Sequence, residues 1–364
     1  MDPMNEQDVR AALSTVQDPE LHRDLVAAGM VKEVRLDGAD VHVAIELTTP
    51  ACPLREQIQA DVERVLRALP GVGKIDVAWG AKVRRAGAGN QPMQDLVPQV
   101  KNLVLVGAGK GGVGKSTVAV NLAAALARTG AAVGLLDADF YGPSIPIMTG
   151  LYGARPRSED GQSLEPLRAF GMEVMSIGFL VDPEQAVIWR GPMLAGAMVQ
   201  LLRDVRWGEL DYLIIDLPPG TGDIPLTLSQ QVRAAGVVLV STPQDVALSD
   251  VIKAKTMFDK VSIPVLGLVE NMSTFVCPQC AHETPIFDQG GGEKAAGRMG
   301  IPFLGKLPID PAIREGGDKG VPVVVGLPDS TLARAFAETA RRVAGQVSAR
   351  SATTKLPIFR TANG

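Results

Sequence analysis

The chain has 364 residues, of which 46% are hydrophobic and 21% charged, and its formal net charge is −4. These values are typical of a globular protein of two domains, and the three cysteines are too few for a disulfide framework. The charge balance, the lack of any apolar run of about 18 residues and the lack of a signal peptide predict a cytoplasmic protein that binds neither nucleic acid nor membrane.

The first 81 residues alternate helical and strand periodicities, which predicts a small α+β domain. Two segments repeat apolar residues every three or four positions, as helices do, and two have the pattern of short strands. The pair Asp37-Gly38 ahead of the first strand predicts a hairpin turn, since glycine accepts the positive φ of such turns. In chain order these elements are the helix 5–16, the strand 41–47, the helix 53–69 and the strand 74–79.

Residues 82–97 lose this periodicity and collect glycine, alanine and proline, which predicts a linker. Over 98–349, near-continuous apolar runs alternate with helical segments. This pattern predicts an α/β domain whose mostly parallel sheet is covered by helices on both faces. The last helix is predicted over 329–347, with Asp329 as its N-cap, and 350–364 is predicted to be a flexible tail. The apolar runs are 102–109, 132–139, 212–219, 236–243, 265–272 and 302–310.

Residues 109–117, GKGGVGKST, match the phosphate-binding pattern G-x-x-x-x-G-K-[ST] between a predicted strand and a predicted helix. The glycines let backbone N–H groups converge on phosphate oxygens, and the N-terminus of the helix adds its positive end. Lys115 would reach the β- and γ-phosphates, and Ser116 would hold Mg²⁺. The sequence therefore predicts a P-loop NTPase. The predicted nucleotide-binding residues of the loop are Gly109, Lys110, Gly111, Gly112, Val113, Gly114, Lys115, Ser116 and Thr117.

Carboxylates end two later strands, where a Mg²⁺–nucleotide would need them. Asp216 follows an apolar run and suits contact with the water shell of Mg²⁺, and the loop 220–222 after it could sense the γ-phosphate. Asp137 and Asp139 end the strand after the phosphate loop, where either could contact metal-bound or attacking water. A solvated turn residue is the alternative at each position. The catalytic candidates are Asp139 and Asp216, together with the two loop lysines, Lys110 and Lys115.

Lys110 is unusual, because a phosphate loop needs only the lysine after its last glycine. With this extra lysine the loop resembles that of the deviant Walker-A ATPases of the MinD/ParA/nitrogenase-iron-protein class, whose motif is K-G-G-x-G-K-[ST]. The resemblance implies that Lys110 reaches across a homodimer to the partner's nucleotide, as an arginine finger does. ATP would then favour a face-to-face dimer. An exposed loop lysine is the alternative.

Two of the three cysteines, Cys277 and Cys280, lie in the stretch FVCPQCAHE. Two thiolates at this spacing can bind one side of a metal or cluster, but a closed site needs four ligands. A zinc site that includes His282, a redox pair and a structural turn are the alternatives. Cys52 lies at a predicted helix start, where it is either a metal- or cluster-handling thiol or a small buried hydrophobe.

Several stretches together narrow the resemblance to one family. DADFYGPSIP, WRGPM, DLPPGTGD, VENMS and CPQC resemble the Mrp/ApbC family of iron–sulfur cluster carrier ATPases over about 98–345. The stretches DPE and TTPACPL resemble a small domain that recurs in iron–sulfur assembly proteins. The family pattern places base-holding residues at Asn271 and on the loop of Pro308 and Asp310. Arg190 also belongs to the pattern, without an evident chemical role.

The resemblance implies a slow ATPase with ATP, Mg²⁺ and a 4Fe–4S cluster. If the ATP-bound dimer brings Cys277 and Cys280 of two subunits together, their four thiolates form the ligand set of such a cluster, which apo iron–sulfur proteins would receive. The competing function is a MinD/ParA-like positioning ATPase with structural zinc at the cysteine pair. Its membrane-binding version needs a basic amphipathic C-terminal helix, for which 348–364 lacks the periodicity.

Overall fold

The protein is represented by a computed structural model that describes residues 4–19, 21, 23–86, 95–181, 191–220, 223–277, 279–280, 282–288 and 290–352. The chain divides into two compact units. The first comprises the described residues of 1–87 and 344–364, and the second those of 88–343. The boundaries predicted at 81, 97 and 349 stay predictions, and most of the predicted linker lies outside the described residues.

The first unit contains a small mixed sheet, two helices of its own and the last residues of a third, α11, which begins in the second unit. Its elements are α1 (Glu6–Leu13), β1 (Gln17–Asp18), β2 (Arg23–Asp24), β3 (Val31–Asp37), β4 (Asp40–Leu47), α2 (Arg55–Arg67) and β5 (Ile75–Ala81). The central strand β4 pairs antiparallel with β3 and parallel with β5. Every second residue of β4 is buried, as the sequence alternation predicts. The helices contribute Val9, Leu13, Ile58, Val62 and Leu66 to the core beside this sheet.

The second unit alternates strands with helices. Its elements before the cysteine stretch are β6 (Val100–Ala108), α3 (Lys115–Arg128), β7 (Val133–Asp137), α4 (Ile145–Met148), β8 (Leu167–Ala169), β9 (Met172–Ser176), α5 (Gly191–Arg203), β10 (Leu210–Asp216), α6 (Asp223–Gln231), β11 (Ala234–Ser241), α7 (Asp245–Lys260) and β12 (Val265–Glu270). The remaining elements are β13 (Phe275–Val276), β14 (Glu283–Thr284), α8 (Gly291–Met299), β15 (Phe303–Lys306), α9 (Pro311–Lys319), α10 (Val323–Gly326) and α11 (Thr331–Ala352).

The large sheet has the strand order β15-β12-β11-β6-β10-β7-β9-β8. Each neighbouring pair is parallel except β8 and β9, which confirms the predicted α/β class with a mostly parallel sheet. The predicted apolar runs do not include β8 and β9, in which Arg168 and Glu173 interrupt the apolar residues. The carboxyl ends of parallel strands meet at one edge of a sheet, where ligands of this fold class bind. The phosphate loop, Asp137, Asp216 and Asn271 all follow or end strands at this edge.

The predicted N-cap of the last helix is wrong by one residue. The Ser330 hydroxyl accepts from the Ala333 N–H at 3.0 Å, whereas the Asp329 carbonyl accepts from the Arg334 side chain. Ser330 caps because it directly precedes the first helical residue. The helix continues to Ala352, and the tail beyond it lies outside the described residues.

Among the described helices, none has the length and apolar character needed to cross a bilayer.

Candidate functional site

The phosphate loop connects β6 to α3, and its shape depends on glycine at two positions. A Cβ on Gly109 would collide with the backbone of Asp250 in α7. Gly114 has a φ of +79° and is the N-cap of α3, and a Cβ there would collide with the side-chain amide of Asn271. Within the described parts of the chain, no side chain caps this helix end. The first N–H groups of α3 are therefore available to an anion, as phosphate binding requires.

Lys115 lies among three of the residues that the sequence singles out. Its Nζ donates to Asp216 Oδ1 at 2.6 Å and to Ser116 Oγ at 3.3 Å, and it lies 3.7 Å from Asp139 Oδ2. Lys115 and Asp216 are both buried. The fold thus brings together the predicted catalytic residues Lys115, Asp139 and Asp216. Lys110, the fourth, is half-buried in the loop.

Asp216 has an electrostatic environment that suits a role beside a cation. Burial raises its pKa, and the ammonium of Lys115 opposes this effect. Its second oxygen, Oδ2, is buried and has no hydrogen-bond partner within the part of the chain that the structure describes. A buried carboxylate oxygen without a partner is a costly arrangement that a bound cation or its water would relieve. The residues therefore fit the Mg²⁺ that accompanies a nucleotide.

Asp137 occupies a different position from Asp139, although the sequence left their roles open. Asp137 ends β7 beside Asp216 of β10 and is fully buried. Its carboxyl group accepts from Asp139 N at 3.1 Å, Ile145 N at 3.2 Å and Ser176 Oγ at 3.0 Å. Burial and the nearby charge of Asp216 raise the pKa of Asp137 to about 8. Asp137 thus holds the loop after β7 in place, whereas Asp139 faces the lysine.

A cavity of about 600 Å³, here called the base cavity, adjoins Gly114 and Thr117. Its lining is largely apolar and includes Met148, Met272, Phe275, Ile286 and Ile313. A flat apolar ring such as a nucleotide base suits walls of this kind.

Asn271 and Asp310 both line the base cavity and also hold neighbouring backbone. The Asn271 side chain donates from Nδ2 to the carbonyl of Val113 in the phosphate loop, at 2.9 Å. Asp310 Oδ1 accepts from Ala312 N at 2.8 Å and caps α9. The two predicted base-flanking residues therefore fix the walls of this cavity.

The two paired cysteines lie at the tip of a hairpin formed by β13 and β14. The Cys277 N–H donates to the His282 carbonyl at 2.9 Å, which closes the turn. Cys277 is half-buried, and Cys280 and His282 are exposed. Hydrogen bonds from the backbone N–H groups of Cys280 and Gln279, and from the Cys280 thiol, lower the pKa of Cys277. A thiol whose thiolate is stabilised in this way is suited to bind a metal.

No group of three or more histidine, cysteine or acidic side chains is placed to hold a metal ion in the described parts of the chain. The third cysteine, Cys52, is half-buried just before α2 and packs against the core of the first unit. Several residues that the sequence points to lie outside the described residues, namely Arg190, Thr221 and Gly222.

Sequence reasoning missed Glu270 and Ser273, two buried residues between the phosphate loop and the cysteine hairpin. Glu270 Oε2 accepts from Gly292 N at 2.6 Å, at the start of α8, and Ser273 Oγ donates to the Leu307 carbonyl at 3.0 Å. Glu270 carried a signal, since it is a charged residue at the end of a strand whose other residues are four apolar residues and one glycine. Ser273 carried none.

Two family models match the chain. The model described as "NUBPL iron-transfer P-loop NTPase" matches residues 99–344, and the model described as "Iron-sulfur cluster assembly protein" matches residues 6–77. The first match covers more than half of the chain and includes the phosphate loop and the cysteine hairpin.

Curated relatives are similar over nearly the whole chain. The iron-sulfur cluster carrier protein of Synechocystis sp. is 51% identical over 344 residues, which are 93% of this chain and 97% of the relative. That of Deinococcus radiodurans is 51% identical over 348 residues, 96% of this chain and 97% of the relative. A solved nucleotide-binding protein from Archaeoglobus fulgidus, in complex with ADP, is 44% identical with a TM-score of 0.55 and covers 61% of this chain and 87% of that one.

Proposed function

This chain belongs to the family of iron-transfer P-loop NTPases, and from that membership we propose that it binds a 4Fe–4S cluster between two subunits and delivers it to apo-proteins with the use of ATP. As a member of this family, the chain is an ATPase. The membership also supports a role as a cluster carrier. The observation that carries the finer proposal is the cysteine hairpin, which presents two thiols and shares one unit with a complete phosphate loop.

The nucleotide is held by the phosphate loop and the base cavity. Lys115 exchanges its contacts with Asp216 and Asp139 for the β- and γ-phosphates, which are the stronger partners for an ammonium. Asn271 keeps the loop in its binding shape through Val113. Asp139, whose carboxylate lies 3.7 Å from the lysine, orients the attacking water. Lys110 of each subunit contacts the nucleotide of the other, which makes ATP binding favour the dimer.

Mg²⁺ fits beside these residues. Ser116 would hold it directly and Asp216 through a water molecule, since Asp216 Oδ2 is the buried oxygen without a partner among the described residues. When bound, Mg²⁺ neutralises charge that develops on the phosphate oxygens.

The iron–sulfur cluster is the cargo of this protein. A 4Fe–4S cluster is held by four thiolates, and each hairpin supplies Cys277 and Cys280. Two hairpins that meet on a two-fold axis therefore complete the site. A cluster held between subunits is released when the dimer loosens, which suits a carrier that delivers to apo iron–sulfur proteins. A cytoplasmic location stays a prediction from the sequence.

The first experiment measures cluster stoichiometry. Protein reconstituted anaerobically with iron and sulfide is expected to become brown and to contain four irons per dimer, measured by iron analysis together with light scattering. A monomer that holds a full cluster would contradict the shared site. Colourless protein that retains one zinc per dimer would instead favour the positioning ATPase with a structural zinc.

The second experiment measures delivery. The reconstituted dimer is mixed with an apo-enzyme that needs a 4Fe–4S cluster, with and without MgATP, and enzyme activity is followed. We expect activation by the wild type that depends on ATP, and little ATP dependence in Lys115→Ala. Activation at the same rate by free iron and sulfide would show that delivery does not need the carrier.

A further inference from the structure

The base cavity and the cysteine hairpin are joined by one short piece of structure. The chain leaves β12 at Glu270, passes Asn271 at the phosphate loop and reaches Cys277 only seven residues after Glu270. Residues 306–310, which start at the last residue of β15, run beside it. We call the paired segments 270–277 and 306–310 the linking ribbon.

Hydrogen bonds hold the two segments of the linking ribbon together along their length. Leu307 N donates to the Glu270 carbonyl at 2.9 Å, and Ile309 N donates to the Thr274 carbonyl at 2.8 Å. Between these bonds, Ser273 donates twice to the Leu307 carbonyl, from its N–H at 2.9 Å and from its hydroxyl at 3.0 Å. Because these bonds are closely spaced, we expect a displacement of one segment to displace the other.

The two sides of the linking ribbon face different cavities. The base cavity is lined from the ribbon by Asn271, Met272, Phe275 and Ile309. A second cavity, of about 390 Å³, is lined from the ribbon by Glu270, Ser273, Thr274, Val276 and Cys277. Pro308 and Asp310 line both cavities. The wall of the base cavity therefore carries Cys277, the proposed cluster ligand, on its opposite side.

The chain that follows the cysteine hairpin is also held by Glu270, the residue at which the linking ribbon begins. After the hairpin the chain reaches α8, where Gly292 N donates to Glu270 Oε2 at 2.6 Å. Glu270 is fully buried, and a Cβ on Gly292 would press against its carboxylate. The segment between Glu270 and Gly292 thus begins and ends at the last residue of β12, next to Asn271, which braces the phosphate loop.

We propose that the linking ribbon transmits nucleotide binding to Cys277, with Ser273 as the positioning residue that keeps its two segments in register. A nucleotide base in the base cavity binds the linking ribbon when its two segments are paired. Binding therefore makes separation of the two segments rarer. The thiol on the opposite side is then held more firmly and is less accessible. This inference rests on the proposed function for the role of Cys277, but its test needs neither a cluster nor a dimer.

The test measures the alkylation rate of Cys277 by iodoacetamide in the metal-free protein, with and without saturating MgADP. Fragment mass spectra distinguish Cys277 from Cys280. Light scattering is used to choose a concentration at which MgADP leaves the mass unchanged, and a fluorescent ADP analogue reports binding. We expect MgADP to slow alkylation by about fivefold or more, the lower end of usual coupling between sites.

Ser273→Ala removes the hydroxyl bond and is expected to abolish most of this slowing while the affinity for the ADP analogue stays within about twofold. Ser273→Thr keeps the hydroxyl and should retain the slowing. Thr256→Ala is the matched control, because it removes a bond from a hydroxyl to a carbonyl (2.9 Å to Ile252) elsewhere in the same unit. It should behave as the wild type.

An alkylation rate that MgADP leaves unchanged or increases, while the ADP analogue binds, would overturn the proposal. Equal slowing in wild type and Ser273→Ala would also overturn it, since the coupling would then not pass through the ribbon. Neither result touches the carrier function, which stands or falls on the iron content and the delivery assay. Conversely, a slower alkylation of Cys277 with MgADP would not show that the protein binds a cluster.

Discussion

The phosphate loop and the cysteine hairpin lie in the same unit but are built in opposite ways. The loop joins a nine-residue strand to a fourteen-residue helix, and the ion pair between Lys115 and Asp216 of β10 is buried. The hairpin has two strands of two residues each, and Cys280 at its tip is exposed. Surface loops of this kind hold few buried contacts and open at little cost in free energy.

The difference fits a division between ATP hydrolysis at the phosphate loop and cargo binding at the cysteine hairpin. A site that polarises phosphate needs charges fixed in a low-dielectric interior, and one chain brings Lys115, Asp139 and Asp216 together there, so that only Lys110 would come from the partner. A site that must release its cargo benefits from an exposed position and from ligands that are shared with a second chain. The comparison therefore predicts that damage to the hairpin abolishes cargo binding and spares the ATPase, whereas damage to the loop abolishes hydrolysis and leaves the cluster ligands in place.

The largest expected effect is on cargo binding. Cys277→Ala and Cys280→Ala each remove two of the four thiolates of the proposed dimer site, so the visible absorbance of reconstituted protein should disappear. Cys52→Ala is the matched control, since Cys52 packs against the core of the other unit, and it should stay brown. If Cys277→Ala kept its colour, the hairpin would not be the cluster site.

The next effect is on hydrolysis. Lys115→Ala removes the buried cation beside Asp216 and Asp139, and we expect kcat for ATP to fall by about 100-fold or more. Lys101→Ala is the control, because it removes another lysine–aspartate pair of the same unit, with Asp211 at 2.7 Å. Circular dichroism checks that both variants are folded. If Lys115→Ala hydrolysed ATP at the rate of the control, Lys115 would not take part in hydrolysis.

A smaller effect is expected on nucleotide affinity when Asn271, which hydrogen-bonds to the phosphate loop, is replaced. Asn271→Ala leaves the Val113 carbonyl without its 2.9 Å hydrogen bond, and we expect MgADP to bind about tenfold more weakly. Asn5→Ala removes the N-cap of α1 in the first unit and should not change the affinity. Titration with a fluorescent ADP analogue measures both. Unchanged affinity in Asn271→Ala would mean that the loop keeps its shape without this bond.

The smallest predicted effect is a dependence of stability on pH. The pKa of Asp137 is raised to about 8, so between about pH 4 and pH 8 the folded chain keeps a proton that the unfolded chain has released. This contribution is complete below about pH 4 and is lost as the pH rises to about 8. Without added nucleotide, we expect the Tm to fall by about 5 °C between pH 5 and pH 8.

Asp137→Asn mimics the protonated carboxyl and should flatten this slope. Asp160→Asn serves as the control, because hydrogen bonds from Ser163 and Gln162 lower the pKa of this exposed carboxyl and keep it ionised throughout the range. Parallel slopes in wild type and Asp137→Asn would assign the pH dependence to other groups.

The sequence predicted most of the α/β unit, because apolar runs and helical periodicity are local properties of the chain. It missed β8 and β9, since Arg168 and Glu173 interrupt their apolar residues, so that neither strand gives a continuous apolar run. It placed the N-cap of α11 at Asp329, because aspartate and serine are equally good caps and only the helix geometry decides between them.

The sequence by itself determined the chemistry that this protein carries: nine consecutive residues specify the phosphate loop, and four specify the cysteine pair. Tertiary structure alone decided which side chains meet them. Lys115 and Asp216 are 101 residues apart, and Asn271 and Val113 are 158 apart. They meet because β10 lies beside β6 and β12 ends at the same edge of the sheet. Strand order depends on how all the helices pack on the sheet, which no local pattern encodes.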